Sequence, residues 1–314
     1  MAHEFETGFF VKEPPWHGLG TVLESAPQTA EEAIICAGLN WEVQKVPLMT
    51  ISALPVPDNY AVVRSTFDQA DVLGVVGSQY EPVQNRDAFA FFDAVISDGH
   101  AAYDTAGSLK GGRIVWILAK VDGPLRITKD DYVEKYLLLY NSHDGSCAVS
   151  MQFSPIRVVC SNTLAMARTS ANEAYKVSLR HTPSVLQRMD SVQTYMGSVN
   201  AQFRHTGAAY QYLAGIGINT EILEKYLLDL FPDPKADAQR NRNKAIREKC
   251  TELFETGIGT DIAPPSMWRA YNSVTEYVDH VRNNENTEQR VRSAWLGQGM
   301  ELKQRALQAA LEVK

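Results

Sequence analysis

The stretch that most constrains this chain runs over residues 110–168. Three segments follow one another in it: 112–121 (GRIVWILAKV), 131–141 (DYVEKYLLLYN) and 146–160 (SCAVSMQFSPIRVVC). Each is dense in β-branched, aromatic or long apolar side chains, which suit a pleated and buried surface. Asp122-Gly123-Pro124 lies in the first connection and His143-Asp144-Gly145 in the second. Gly supplies φ > 0 and Asp folds back on its own backbone, so both read as hairpin turns. The pattern then changes. Ser161-Asn162-Thr163 offers N-cap oxygens, and Leu164, Ala165, Met166 and Ala167 are good helix formers, so a helix is predicted to begin there. The order is β-β-β-α, with Arg157 and Arg168 flanking the strand-to-helix corner.

Around that core the chain predicts an α+β protein, an antiparallel sheet with a C-terminal helical layer. Residues 1–28 read as an arm with little regular structure, in which Pro14-Pro15-Trp16-His17-Gly18 makes a fixed turn. A core domain is expected over 29–210 and a helical region packed on it over 211–314. Thr29-Ala30-Glu31-Glu32 starts a short helix that Gly38 ends. Strands are predicted over 41–51, 60–65, 73–76 and 100–109, and a helix over 88–96, where Phe89 and Phe92 recur at helical spacing as core. Gly111-Gly112 marks a turn or bulge; it lacks the Gly-Lys-Ser/Thr of a P-loop. Residues 175–182 (YKVSLRHT) precede one long helix over 184–213, striped by Val185, Met189, Val192, Met196 and Val199. Phe231-Pro232-Asp233-Pro234 and Ala263-Pro264-Pro265 then break the chain between helices over 236–254, 266–281 and 290–313. In the last, Val291, Trp295, Leu302, Ala306 and Ala310 can share one face.

Composition excludes several classes of function. No apolar run approaches the roughly 18 residues of a membrane span, and the N-terminus carries acids where a signal peptide carries positive charge. A cytoplasmic protein with no membrane partner is expected. Cys36, Cys147, Cys160 and Cys250 sit far apart with no CxxC pair, and the seven histidines are scattered, so neither a metal site nor a cofactor is predicted. Net charge is −7, but it is unevenly spread. Residues 1–104 hold 4 basic and 15 acidic residues, a net of −11, whereas 105–210 hold 12 and 7, a net of +5. Binding depends on local potential, so the middle section is the place to look for an anion-binding face.

Within that section Arg180, His181, Arg188, Arg204 and His205 interleave with Tyr175, Tyr195, Phe203 and Tyr210. Cations hold phosphates and rings stack on bases, which is what a single-strand binder requires. Arg113, Arg157, Arg168, Arg180 and Arg188 are the expected phosphate contacts and Tyr175 the expected stacking ring; no catalytic residue is needed. Two other classes compete. An enzyme would use His143-Asp144, or Cys160-Ser161-Asn162 at the strand-to-helix corner, where a helix N-terminus lowers a thiol's pKa. Against it, Cys160 reads as buried and Asn162 as a cap. A protein-binding factor would use the acidic residues 1–104, which could face a basic partner or mimic nucleic acid.

Several stretches taken together resemble the phage/plasmid-like proteins of the domain of unknown function 932 family. They are Trp16-His17-Gly18-Leu19-Gly20, Tyr80-Glu81-Pro82-Val83-Gln84-Asn85, Arg157-Val158-Val159-Cys160-Ser161-Asn162-Thr163-Leu164, residues 272–280 (NSVTEYVDH) and Ser293-Ala294-Trp295-Leu296-Gly297. The resemblance spans residues 15–300 and implies a protein carried by a phage or plasmid; it implies no reaction. In element order and local charge the β-β-β-α unit is also similar to the core of single-strand annealing proteins. That likeness implies a homo-oligomer, a ring or filament, that lays single-stranded DNA along a basic groove and promotes annealing in recombination. The protein-binding alternative then becomes a phage factor acting on a host defence protein.

Overall fold

A computed structural model describes residues 5–12, 20–65, 70–96, 101–157, 176–192, 196–282 and 298–313. The protein is α+β, as expected. Its larger sheet takes β1 (Phe5–Val11), β2 (Thr21–Leu23), β6 (Ala101–Leu109), β7 (Ile114–Arg126), β8 (Tyr132–Ser142), β9 (Val149–Arg157) and β10 (Lys176–Leu179). These lie in the order β10-β9-β8-β7-β6-β1-β2, mostly antiparallel, with β2 parallel to β1. The smaller sheet is β3 (Glu42–Met49), β4 (Pro55–Ser65) and β5 (Ala70–Gly77), antiparallel in chain order. The chain divides into two compact units. The first is Met1–Asp122, Tyr136–Phe153 and Glu173–Val199; the second is Gly123–Lys135, Ser154–Asn172 and Asn200–Lys314.

In the first unit the three consecutive strands expected from sequence are β7, β8 and β9, side by side in the sheet. The helix expected from Ser161 lies outside the described residues. Ile114–Ala119 of β7 and Tyr136–Tyr140 of β8 are buried without alternation, the pattern of strands covered on both faces. One boundary differs. Strand β7 runs through Asp122-Gly123-Pro124 to Arg126, and the turn falls at Ile127–Asp131. There Ile127 N–H donates to the Asp131 carbonyl and Thr128 Oγ1 accepts from Asp131 N–H, a stronger local closure than the glycine offers.

Residues Phe5–Val11 also depart from the irregular arm that sequence predicts. They pair antiparallel with β6, and Gly8 sits opposite Gly107, which sits opposite Trp116 on β7. A methyl at Gly8 would lie 2.6 Å from the Ala106 carbonyl, and one at Gly107 would collide with the Thr7 carbonyl and approach the Trp116 ring to 3.0 Å. The bare Gly107 backbone thus lies against the fully buried Trp116 indole, with the bare Gly8 backbone against Gly107 in turn. Thr105 Oγ1 donates to the Phe9 carbonyl at 2.6 Å beside it. None of this is local in sequence, which is why FETGFFV gives little strand signal alone.

The first helix, α1 (Ala30–Cys36), follows its sequence signals at both ends. Thr29 Oγ1 accepts from Glu32 N–H. At the other end Gly38 N–H reaches the Ile35 carbonyl and Leu39 N–H the Ile34 carbonyl, with Gly38 at φ +67°, a Schellman closure. Helix α2 (Asn85–Ile96) buries Phe89 and Phe92 as core. The long helix expected over 184–213 is α3 (Val185–Val192) and α4 (Met196–Gly215); residues 193–195 between them lie outside the described residues.

The second unit is a helical assembly of most of α4 with α5 (Thr220–Leu230), α6 (Asp237–Thr256), α7 (Met267–Glu276) and α8 (Gln298–Glu312). A single π turn, Tyr277–Val281, extends α7. Leu213, Leu223, Leu227, Phe254, Val274, Leu302, Ala306 and Ala310 share one core with Ile127 and Val133 from the tip of the β7–β8 hairpin. Buried Asp131 anchors that tip by accepting from Trp268 Nε1 at 2.8 Å. Phe203 and Tyr210, expected among the ring platforms for bases, are core residues instead, 2% and 4% exposed. Tyr210 packs on Trp268 with ring centroids 4.6 Å apart. No helix among the described residues is long and apolar enough to cross a membrane.

A Gly107→Ala substitution tests the close approach at Gly107. The added methyl meets backbone, which cannot swing aside, so unfolding free energy falls by about 2–3 kcal/mol in urea titration. The emission of Trp116 shifts with it, whereas Gly111→Ala, whose added methyl has nothing within 4 Å, leaves that emission in place.

Candidate functional site

Three of the six residues expected to contact DNA have described side chains, all in the first unit. Arg113 ends the turn between β6 and β7 and is exposed; Arg180 follows β10 and is exposed. Neither guanidinium has an ion pair or hydrogen bond among the described residues. Arg188, half-buried on α3, donates from Nη2 to the Arg180 carbonyl at 2.8 Å and to Thr182 Oγ1 at 2.7 Å. It therefore fixes the turn that presents Arg180. Arg157 ends β9 with its side chain outside the described residues. Arg168 and Tyr175, with Cys160, Ser161 and Asn162, also lie outside them.

Bonded to the Arg113 backbone is His143, in the turn from β8 to β9. Asp144 Oδ1 accepts from Ser146 N–H and Gly145 takes φ +75°, so the turn closes as its sequence predicts. The small sheet covers it: a methyl at Gly74 would fall 2.5 Å from Asp144 Cα, and Gly145 lies against Val76. Under that cover His143 is wholly buried. Its N–H donates to the Arg113 carbonyl at 2.8 Å, and its Nε2 lies 3.0 Å from Asn85 Oδ1. Asn85 Nδ2 donates to the Leu39 carbonyl, so its oxygen is the atom that faces the ring. The network therefore assigns the imidazole proton to Nε2 and leaves Nδ1 as an acceptor.

Around this ring stand Trp41, edge-on at 5.3 Å between centroids, and Arg64, whose guanidinium lies 5.1 Å from the Trp41 ring. Arg64 is held by Glu6 and Asp71, each at 2.7 Å. Burial opposes its charge, but the two carboxylates outweigh that and raise its pKa. On the other side Tyr80 stacks on His181 at 4.5 Å, donates to the Ser142 carbonyl, and has its phenol pKa raised by burial, then by Asp144 and Cys147. His181 Nδ1 bonds the Glu81 carbonyl, yet burial still lowers that ring's pKa. Burial, with the nearby His181 and Arg64, lowers His143 to about 3, against the weaker pull of Asp144. Trp41 Nε1, Arg64 Nε, Asn141 Oδ1 and His143 Nδ1 are buried without a hydrogen-bond partner among the described residues.

A ring so buried and so weakly basic suits a fixed hydrogen-bond hub, not a proton shuttle, which removes the geometric support for His143-Asp144 as a catalytic pair. Among the described residues no three His, Cys, Asp or Glu side chains are grouped to hold a metal ion. Sequence reasoning found His143 and the exposed arginines but not Trp41, Arg64, Asn85 or His181 as its neighbours. The available signal was Tyr80-Glu81-Pro82-Val83-Gln84-Asn85. Tyr80 and Asn85 reach the hub, and Gln84 grips Val43 N–H and carbonyl, tying the segment to β3.

These features define an α+β protein whose seven-stranded sheet, in the first unit, carries a smaller sheet clamped over a buried histidine turn. The chain belongs to the family described as Domain of unknown function (DUF932), which matches residues 72–295. The resemblance read from Tyr80–Asn85 and the later motifs thus holds. No curated protein and no solved structure matches the chain.

The hub dictates a pH dependence. Unfolded, His143 titrates near 6.5; folded, it stays neutral down to about 3. Between those values the unfolded chain binds the extra proton, so stability falls as pH falls. At about pH 5.5 His143 alone removes about 1.4 kcal/mol relative to about pH 7.5, and His181 acts in the same direction. Urea unfolding at both pH values checks this: His143→Gln lowers stability at the higher pH but loses less on acidification. An equal loss in both proteins contradicts a buried neutral imidazole.

Proposed function

We propose that this protein binds single-stranded DNA and promotes its annealing, as an accessory of phage or plasmid DNA recombination in the cytoplasm, working as a homo-oligomeric ring or filament. The observation that carries the reading is the pair of exposed arginines, Arg113 and Arg180, whose guanidinium groups have no partner among the described residues; the Arg113 carbonyl accepts from His143 N–H, and Arg180 precedes His181. Both belong to the one basic section of an acidic chain. The run of neighbouring strands β7, β8 and β9 supports the likeness in element order to annealing proteins. Backbone grip by arginine needs no base readout, so binding would be indifferent to sequence.

The test is anisotropy of a fluorescent single-stranded oligonucleotide across salt. Four arginine–phosphate contacts on a single strand, from Arg113, Arg157, Arg168 and Arg180, give a slope of about −2.8, or roughly a fiftyfold loss of affinity between about 50 and 200 mM salt. Arg180→Ala lowers that slope by about 0.7. Mass photometry on the same samples reads the ring or filament. No binding at low salt rejects the proposal.

A second reading rests on the outward side chains of the small sheet and its hairpin. Met49, Ile51, Leu54, Val72 and Val75 are half or more exposed, within the acidic first third of the chain. An apolar face of this kind marks a protein partner, here a host protein. If DNA fails to bind, capture of a host protein that Val75→Glu abolishes supports this reading.

A further inference from the structure

We propose that the turn from Lys110 to Arg113 is a preformed phosphate grip for the DNA backbone, an inference that rests on the single-strand reading above and names its point of contact. The turn joins β6 to β7 beyond the Leu109–Ile114 pair. Lys110, Gly111 and Gly112 take φ of +56°, +63° and +83° in succession. Lysine rarely adopts that conformation, and such outliers persist only where the surroundings impose them, most often at functional sites. A short run of turn residues of this kind turns successive backbone N–H groups toward one concavity, which favours an anion. The Gly111 and Gly112 N–H groups donate to no acceptor among the described residues. Arg113, exposed and with no ion pair among the described residues, flanks them with positive charge.

The surroundings do impose the shape. Behind the turn stands Arg64: a methyl at Gly112 would lie 2.6 Å from its Nη1, while one at Gly111 meets nothing within 4 Å. The inner side is therefore filled and the outer side open. Arg64 cannot retreat, because Glu6 and Asp71 hold its two terminal nitrogens. Glu6, whose Oε2 would lie 3.3 Å from a methyl at Gly112, is itself occupied by Arg64 and Ser108 Oγ, so it repels an incoming phosphate less. The far end of the turn is tied by His143 N–H to the Arg113 carbonyl. Arg64 and His143 act as positioning residues: they hold a turn whose conformation is settled before ligand arrives, which removes ordering cost from binding.

This ligand is a phosphate group, and it could come from a nucleic-acid strand or from free phosphate. Hydrogen exchange of the peptide covering residues 109–114, on the full chain, separates the sources. A short oligothymidylate without terminal phosphates is expected to protect the peptide; millimolar inorganic phosphate is expected to protect it weakly. Arg113→Ala weakens oligonucleotide binding about fivefold and lowers the salt slope by about 0.7. Gly112→Ala, which displaces Arg64, weakens it at least as much, and Gly111→Asn, which tolerates φ > 0, changes it less than twofold. If the oligonucleotide binds while the peptide stays unprotected and Arg113→Ala is silent, the grip is refuted and the single-strand reading survives. Protection by inorganic phosphate alone overturns nucleic acid as the ligand. If DNA does not bind and phosphate does not protect, both fall together.

Discussion

A buried imidazole is tolerated only where it stays neutral and a fixed partner meets its ring N–H, and in this chain that demand organises the first unit. His143 lies in the turn between β8 and β9. Its backbone reaches the β6–β7 turn through the Arg113 carbonyl, its Nε2 reaches the start of α2 through Asn85, and its ring meets Trp41 at the start of β3. Four parts of the chain far apart in sequence converge on one residue. Ionising it would leave a charge beside Arg64 under a closed sheet, so burial holds it neutral. Neutrality is what allows the small sheet to close over the turn, with Gly74 set against Asp144.

The cluster is also an arrangement of charges. Arg64 is half-buried but doubly compensated, and Arg188 is spent on backbone and Thr182, whereas Arg113 and Arg180 point to solvent. Compensated cations build the scaffold; among the described residues the Arg113 and Arg180 guanidinium groups have no such compensation. The same division accounts for the rings. Phe203 and Tyr210 are core in the second unit, while Tyr80 is half-buried, stacked on His181 beside Arg180. An overall charge of −7 obscures this, because the acids of the first third are partly consumed in holding Arg64.

Much of the fold was legible in the sequence. The apolar runs of β7 to β9, the Thr29 cap and Gly38 stop of α1, and the proline breaks before α6 and α7 all depend on residues within a few positions of one another. The core face of α8, with Leu302, Ala306 and Ala310, follows from helical spacing. Less was legible where long-range contact decided. The β7 boundary passed its glycine because Thr128 and Asp131 close a better turn, and β1 became a strand because Gly107 receives it. At the site, the Tyr80–Asn85 motif was visible as a pattern, but nothing in it says that Asn85 meets a histidine 58 positions on.

By itself, then, the sequence determined that the chain is α+β, where its caps and breaks fall, that its basic residues gather in the middle third, and which family it joins. Only the tertiary structure decided which cations are free and which are bound, which rings are core, and that the Lys110–Arg113 turn is braced from behind. The physical reason is range. Propensity and periodicity act over a few residues and are written in neighbouring letters, whereas charge compensation and burial depend on partners that are brought together only when the sheets close.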